Sequence, residues 1–343
     1  MRIAVLIPFR PRGDKSLLQW TLEGYRRQAL DPGHTLEVHV GIDGEPEEPP
    51  PAADAQVHYH VFPRMGAAGI RNALAAATAN DTELLIFGNA DARPADDMVQ
   101  QHARTMPTLP AGSLVLGSAP WETAAAPTVM DALLNDSPAV FFYGQLRPHE
   151  WHDFRCCWTL NLSVRKADFV GCGGFHEAIR PVYYEDLAFG HRLMGKDHKA
   201  VWYEPAATVL HRHPTTFDQY LDREELLGIM APVLARNCAG AFGMVFGTRD
   251  LEALARQFRV WVEMDAAMHR WIYQRMQEWA VLPATALGEG EQRLRTLMAV
   301  YQMHVPLKRL AFRRGFLKGL KLTEDSHWME RKAEGLWRKV TGT

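Results

Sequence analysis

Three short polar segments have the residue types for chemistry. Asn89-Ala90-Asp91 closes an apolar run, Glu185-Asp186 opens a helical stretch, and His211 and His213 end a second apolar run. Carboxylate oxygens and imidazole nitrogens bind divalent ions, and a carboxylate can also take a proton from an attacking hydroxyl. Asp43 follows the strand-like Leu36–Ile42, and Arg71-Asn72 starts a helix after Gly66 and Gly69. Glycines let a phosphate approach the backbone there, and a guanidinium can pair with it. Each segment also has an ordinary structural use. Asp43-Gly44 suits a type I turn, Asn89–Asp91 a strand-ending turn, and Asp186 a helix cap.

Several other chemistries are disfavoured. No Gly-x-Gly-x-x-Gly follows the first strand, which exits as Pro8-Phe9-Arg10-Pro11-Arg12-Gly13. There is no Gly-x-x-x-x-Gly-Lys-Ser/Thr and no Gly-x-Ser-x-Gly. The four cysteines, Cys156, Cys157, Cys172 and Cys238, form no Cys-x-x-Cys pair, which suits a reducing compartment.

The elements that must position these residues alternate strand and helix. Ile3–Ile7, Leu36–Ile42, Val57–Phe62 and Glu83–Phe87 read as strands, with helices over Ser16–Ala29 and Ala67–Thr78. This rhythm predicts an α/β fold with a mostly parallel, Rossmann-like sheet flanked by helices. Ligands bind such sheets at the carboxyl ends of the strands, where Asp43 and Asp91 fall. Strands are also expected at Trp158–Val164 and Ala200–Tyr203, with a helix over Asp186–Met194 between them. Beyond about residue 216 the pattern becomes all helical, including Asp250–Trp279 and Glu289–Val305. The apolar stretch Gly228–Gly247 carries Arg236 and Asn237 and reads as a buried helix or helix pair, not a membrane span.

The order Ile7-Pro8-Phe9-Arg10, Gly41-Ile42-Asp43-Gly44, Gly69-Ile70-Arg71-Asn72, Asn89-Ala90-Asp91, Asn161–Arg165, Gly173-Gly174-Phe175, Glu185-Asp186 and His211 resembles the family 2 glycosyltransferases of the GT-A fold. The Gly-Gly-Phe and Glu-Asp segments also resemble galactosyltransferase-type catalytic domains. The resemblance covers about residues 1–215. It implies an inverting, metal-dependent hexosyltransferase of class EC 2.4. Such an enzyme would move a sugar from a nucleotide-sugar donor, a UDP-sugar foremost, to a hydroxyl of a glycan or other acceptor. Asp91 and His211 would hold Mn2+ or Mg2+, with His213 a further candidate on the same strand face. Pro8, Phe9, Asp43, Arg71, Asn72, Asn89 and Asp91 would bind the donor. Asp186 would be the general base, kept ionised by the amino end of its helix. Gly173, Gly174, Phe175, Trp158 and Glu185 would wall the sugar and acceptor, and Trp151 and Tyr184 are further stacking candidates. Asn89 departs from the Asp usual at that position and removes one charge.

The implied organisation is a GT-A catalytic domain over residues 1–215, with nucleotide-sugar binding in 1–95 and the acceptor and base part in 150–215. A helical region with a basic tail follows over 216–343. The 343 residues carry 38 basic and 40 acidic side chains, a balance unlike that of a duplex DNA binder. Lys308–Lys321 holds Lys308, Arg309, Arg313, Arg314, Lys318 and Lys321 and no acid. It is a candidate for contact with an anionic membrane surface or a polyanionic acceptor, or a solvated tail packing through its aromatics. Gly315 and Gly319 weaken it as a helix. With no signal-like N-terminus, the expected setting is cytoplasmic, at most peripheral at the inner face of a membrane. Two alternatives are a sugar-phosphate nucleotidyltransferase and a catalytically degenerate glycan-binding or scaffold protein. The first needs a Gly-rich, Arg-containing loop after the first strand, and only Asn89 favours the second.

Overall fold

The strand β1 (Arg2–Phe9) forms because Ile3, Ala4, Val5, Leu6 and Ile7 are all fully buried, as a strand covered on both faces requires. Burying a side chain such as Leu6 stabilises the fold by about 1.5–3 kcal/mol. The computed structural model describes residues 1–10, 14–48, 50, 55–194, 199–264 and 266–321. Pro11, Arg12 and Gly13, and the tail from residue 322 onward, lie outside the described residues.

After β1 come α1 (Lys15–Arg26), β2 (Thr35–Asp43), β3 (Val57–Phe62), α2 (Gly66–Ala77), β4 (Thr82–Gly88), β5 (Ala92–Pro94), α3 (Met98–Thr105) and β6 (Leu114–Ser118). They continue with α4 (Val129–Asn135), β7 (Trp151–Asp153), β8 (Asn161–Arg165), α5 (Lys166–Gly171), α6 (Glu185–Leu193) and β9 (Lys199–His211). The described residues continue with α7 (Phe217–Asn237), α8 (Ala239–Phe246), α9 (Leu251–Glu263), α10 (Ala266–Ala280) and α11 (Gly290–Lys321). The fold is α/β, a central sheet flanked by helices and followed by a helical C-terminal region.

Two compact units divide the chain. One contains Met1–Pro120 and Leu146–Arg212; the other contains Trp121–Gln145 and the chain from His213 onward. In the first, nine strands among the described residues run in the order β3-β2-β1-β4-β8-β6-β9-β5, with β7 paired to β9. The expectation of a mostly parallel sheet needs correction. The β3-β2-β1-β4 part is parallel, but β8 pairs antiparallel with both β4 and β6, and β5 and β7 pair antiparallel with β9. Local patterning could not show this, because a buried strand has the same composition in either direction.

A buried polar network fixes the middle of this sheet. His102 on α3, fully buried, bonds Ser163 Oγ through Nδ1 (2.8 Å) and Asn161 Oδ1 through Nε2 (2.9 Å). Asn161 Nδ2 donates to the carbonyls of Ser118 (3.0 Å) and Ala207 (2.8 Å). Asn161 and Ser163 therefore belong to the scaffold that carries β9, not to an open surface.

In the second unit, Thr216 caps α7: its Oγ accepts from Gln219 N (3.2 Å), and Gln219 accepts from Thr216 N (2.8 Å). Phe217 and Tyr220 of α7 share a core with Leu133 of α4, Met276 of α10 and Leu297 and Val300 of α11. α11 is continuous over 32 residues in spite of its glycines. A Cβ at Gly315 would strike the Glu225 carbonyl, and one at Gly228 the Phe312 carbonyl. These glycines let the two backbones touch, which offsets their poor helix propensity. The expected single helical stretch at Asp250–Trp279 is two helices. No helix among the described residues is long and apolar enough to cross a membrane.

Candidate active site at the carboxyl edge of the sheet

Parallel pairing brings the ends of β1, β2 and β4 to one edge: Phe9 lies opposite Ile42, and Leu6 opposite Phe87. Beyond β4 the chain turns at Asn89–Asp91, where Ala92 N donates to Asn89 O (3.3 Å) and Thr21 Oγ donates to Ala90 O (2.9 Å). β5 then pairs with the end of β9, setting Ala92 opposite His211. The result is a separation of 3.5 Å between His211 Nε2 and Asp91 Oδ2. Ligand atoms of Asp91, His211 and His213 lie within 4.8 Å of one another. Two imidazoles and a carboxylate converging at this spacing fit a divalent ion.

Glu185 and Asp186 open α6. They follow Tyr183 and Tyr184, whose φ angles of 69° and 67° are left-handed. Such geometry costs a non-glycine residue about 1 kcal/mol or more, and it aims the helix start. Tyr184, not Asp186, is the cap residue; Asp186 Oδ1 instead accepts from Leu187 N (2.7 Å). Glu185 is 5% exposed and pairs with Arg71, itself 4% exposed, at 3.2 Å. Arg71 Nη2 also donates to Asn89 Oδ1 (3.2 Å). One guanidinium thus joins the end of β4 to the amino end of α6.

The electrostatics differ from the sequence expectation. The Asp186 carboxyl is pushed up to about 7, first by burial and then by the charge of Glu185, and Arg71 and the Leu187 N–H offset only part of this. Burial also raises Glu185, against the pull of Arg71. The helix amino end does not hold Asp186 low, because desolvation outweighs it.

Several expected donor and acceptor residues are engaged in the protein. Asp43 Oδ1 accepts from Met65 N (2.7 Å) and Gly66 N (3.2 Å), satisfying the amino end of α2. Pro8 is half-buried and Phe9 buried at the end of β1. Arg71 is no open phosphate clamp; its Nη atoms are committed as above. Asn72 Oδ1 accepts from Phe175 N (2.8 Å), and its Nδ2 donates to Phe175 O (3.0 Å) and Glu177 (2.8 Å). Asn72 therefore clamps the Gly-Gly-Phe loop. Gly173 and Gly174 are both left-handed, with φ of 80° and 65°. A Cβ at Gly174 would come within 2.6 Å of Asn72 Oδ1. Phe175 is corrected from a sugar wall to a core residue: its ring is 2% exposed and packs on Phe189 (4.6 Å), Phe87 (5.0 Å) and Phe169 (5.6 Å). Trp158 is half-buried after the Phe154–Cys156 turn. Trp151 packs edge-on against Trp202 at 5.5 Å.

Sequence reasoning gave His213 little weight as a ligand and missed the Arg93–Trp20–Arg212 stack. Arg212 lies 4.0 Å over the Trp20 ring and Arg93 5.6 Å from it. Arg212 N donates to Asp91 O (2.8 Å). The available signal was His211-Arg212-His213 at a strand end.

No family model matches the chain, and no curated protein matches it. Among solved structures, residues 1–349 of S. aureus TarS are similar at 13% identity and a TM-score of 0.44, over 94% of this chain and 92% of that one. The same TarS segment with UDP gives 12% identity and 0.42. GalNAc-T7 with UDP, GalNAc and Mn2+ gives 12% identity and 0.45, over 62% of this chain and 43% of that one. Likenesses of this size decide nothing about activity.

Proposed function

We propose that the chain is an inverting, divalent-metal-dependent glycosyltransferase that moves a hexosyl group from a nucleotide-sugar donor, a UDP-sugar foremost, to a hydroxyl of a glycan or other acceptor. One observation carries this reading: the Asp91–His211–His213 cluster and the Glu185–Asp186 carboxylates are linked through Asn89 and Arg71 at the carboxyl edge of the sheet. Asp91, His211 and His213 would hold the ion, which when bound neutralises charge on the departing nucleoside diphosphate.

The chain's own residues have separate tasks. Pro8, Phe9 and Asp43 receive the nucleoside at the ends of β1 and β2. Asn89 offers its amide to a ribose hydroxyl. Arg93 and Arg212 bring two positive charges to the strands carrying Asp91 and His211, which favours a diphosphate there. Asp186 takes the proton of the acceptor hydroxyl as its oxygen attacks the anomeric carbon. A carboxyl that titrates near 7 holds a transferred proton better than an ordinary carboxylate does. Attack from the side opposite the leaving group inverts the anomeric centre. Gly173, Gly174 and Trp158 lie on the loops that would face the sugar.

The test is a panel of nucleotide sugars incubated with the protein and Mn2+, scoring release of nucleoside diphosphate. Release from one donor class, lost on chelation, supports the assignment. No release from any donor, together with no nucleotide binding, would rule it out.

A further inference from the structure

Arg71 has one positive charge and stands before two carboxylates. Its Nη1 meets Glu185 Oε1 at 3.2 Å, its Nη2 meets Asn89 Oδ1 at 3.2 Å, and Asp186 follows Glu185 directly. Arg71 and Glu185 are both more than nine-tenths buried, and Arg71 Nε and Glu185 Oε2 have no hydrogen-bond partner among the described residues. A buried guanidinium with so few partners is stable only while it stays against a carboxylate. We infer that Arg71 is a positioning residue whose single charge serves Glu185 and Asp186 together, and that residue 89 is an amide because a third carboxylate there would draw the guanidinium off Glu185.

This explains the departure of Asn89 from the Asp-x-Asp pattern. The amide oxygen accepts the Arg71 bond without adding a negative charge. With Asn89, two carboxylates face one cation, and one shared proton balances the group. With Asp at 89, three carboxylates would face that cation. Among the described residues, the charged and titratable groups acting on Asp186 are Glu185 from its own helix, Arg71 from α2, and Cys157 from the turn before β8. The buried Cys157 thiol is held neutral, its ionisation raised by burial and by Asp186 itself. The raised titration of Asp186 agrees with this count, since one cation does not offset burial and a like charge.

The inference rests on Asp186 being the base of the proposed reaction, but its test needs no substrate. Protein carrying 13C-carboxyl aspartate is titrated by NMR with EDTA present, and Asp186→Asn identifies the resonance. Glu185→Gln removes the competing charge and is expected to lower the Asp186 midpoint by about half a pH unit or more. Asn89→Asp is expected to raise it by a similar amount, and the double variant to return it close to the starting value. A merely structural role for these residues would not give shifts of opposite sign that cancel. Unchanged midpoints, or shifts in the same direction, would overturn the inference. If the midpoints follow this pattern while no donor is turned over and no nucleotide binds, the charge arrangement stands and the transferase reading falls.

Discussion

Asp186 shows how far a residue's behaviour departs from its type. An exposed aspartate is ionised at neutral pH, yet here burial and Glu185 bring the carboxyl to about 7. Asp186→Asn keeps the shape and removes the carboxylate proposed to accept the proton. Transfer is expected to fall about a hundredfold or more, while UDP affinity, measured by calorimetry, stays nearly the same. Loss of UDP binding with this variant would mean that Asp186 holds the donor instead. The residue types were readable in the sequence: carboxylates at strand and helix ends, and histidines at the end of β9. Their partners were not. Arg71 looked like a phosphate ligand because its neighbours in sequence are glycines, and only the tertiary fold places Glu185, over a hundred positions away, against it. Phe175 looked like a wall for the same reason, since burial is not a local property.

At the scale of elements, strand positions in the first 90 residues followed from apolar runs and turn residues. The pairing directions of β8 and β9 did not, because they depend on connections through weakly patterned segments. α11 illustrates a different failure. Gly315 and Gly319 lower intrinsic helix propensity, yet they are where α7 approaches most closely. Gly315→Ala improves propensity by about 1 kcal/mol but drives a methyl into the Glu225 carbonyl, which cannot move without shifting α7. The clash is expected to win, with a net loss of about 1–3 kcal/mol in urea unfolding. A stabilised variant would show that the two helices are not in backbone contact there. The same packing occupies part of the basic face: Lys318 pairs with Glu225, Lys308 donates to the Ala139 carbonyl, and Arg313 stacks 4.1 Å over Trp261. These basic side chains are thus partly structural.

For the whole molecule, three buried histidines set the response to acid. Burial lowers His39 and His102 in the first unit, and His304 in the second, to about 4. Below the ordinary histidine value of 6.5 the unfolded chain binds protons that the folded chain refuses until about pH 4. Stability from these groups is therefore lost as pH falls through that window, on the order of 3 kcal/mol for His102. Asp186 and Glu185 act oppositely: their folded forms keep protons that the unfolded chain releases near the usual carboxylate range, so their contribution is lost as pH rises. The histidines outnumber the raised carboxyls, so thermal midpoints are expected to drop between about pH 6.5 and 4. Asp186→Asn removes one opposing group and should steepen the drop. A flatter profile in that variant would contradict the assignment.

The most direct measurement is calorimetric titration of UDP into the wild-type chain and Asp91→Asn, each with Mn2+ and with EDTA. Expected are tight binding to the wild-type protein with Mn2+, much weaker binding with EDTA, and no Mn2+-dependent gain in Asp91→Asn. UDP binding of equal strength with and without metal, or unaffected by the substitution, would contradict an ion held by Asp91, His211 and His213.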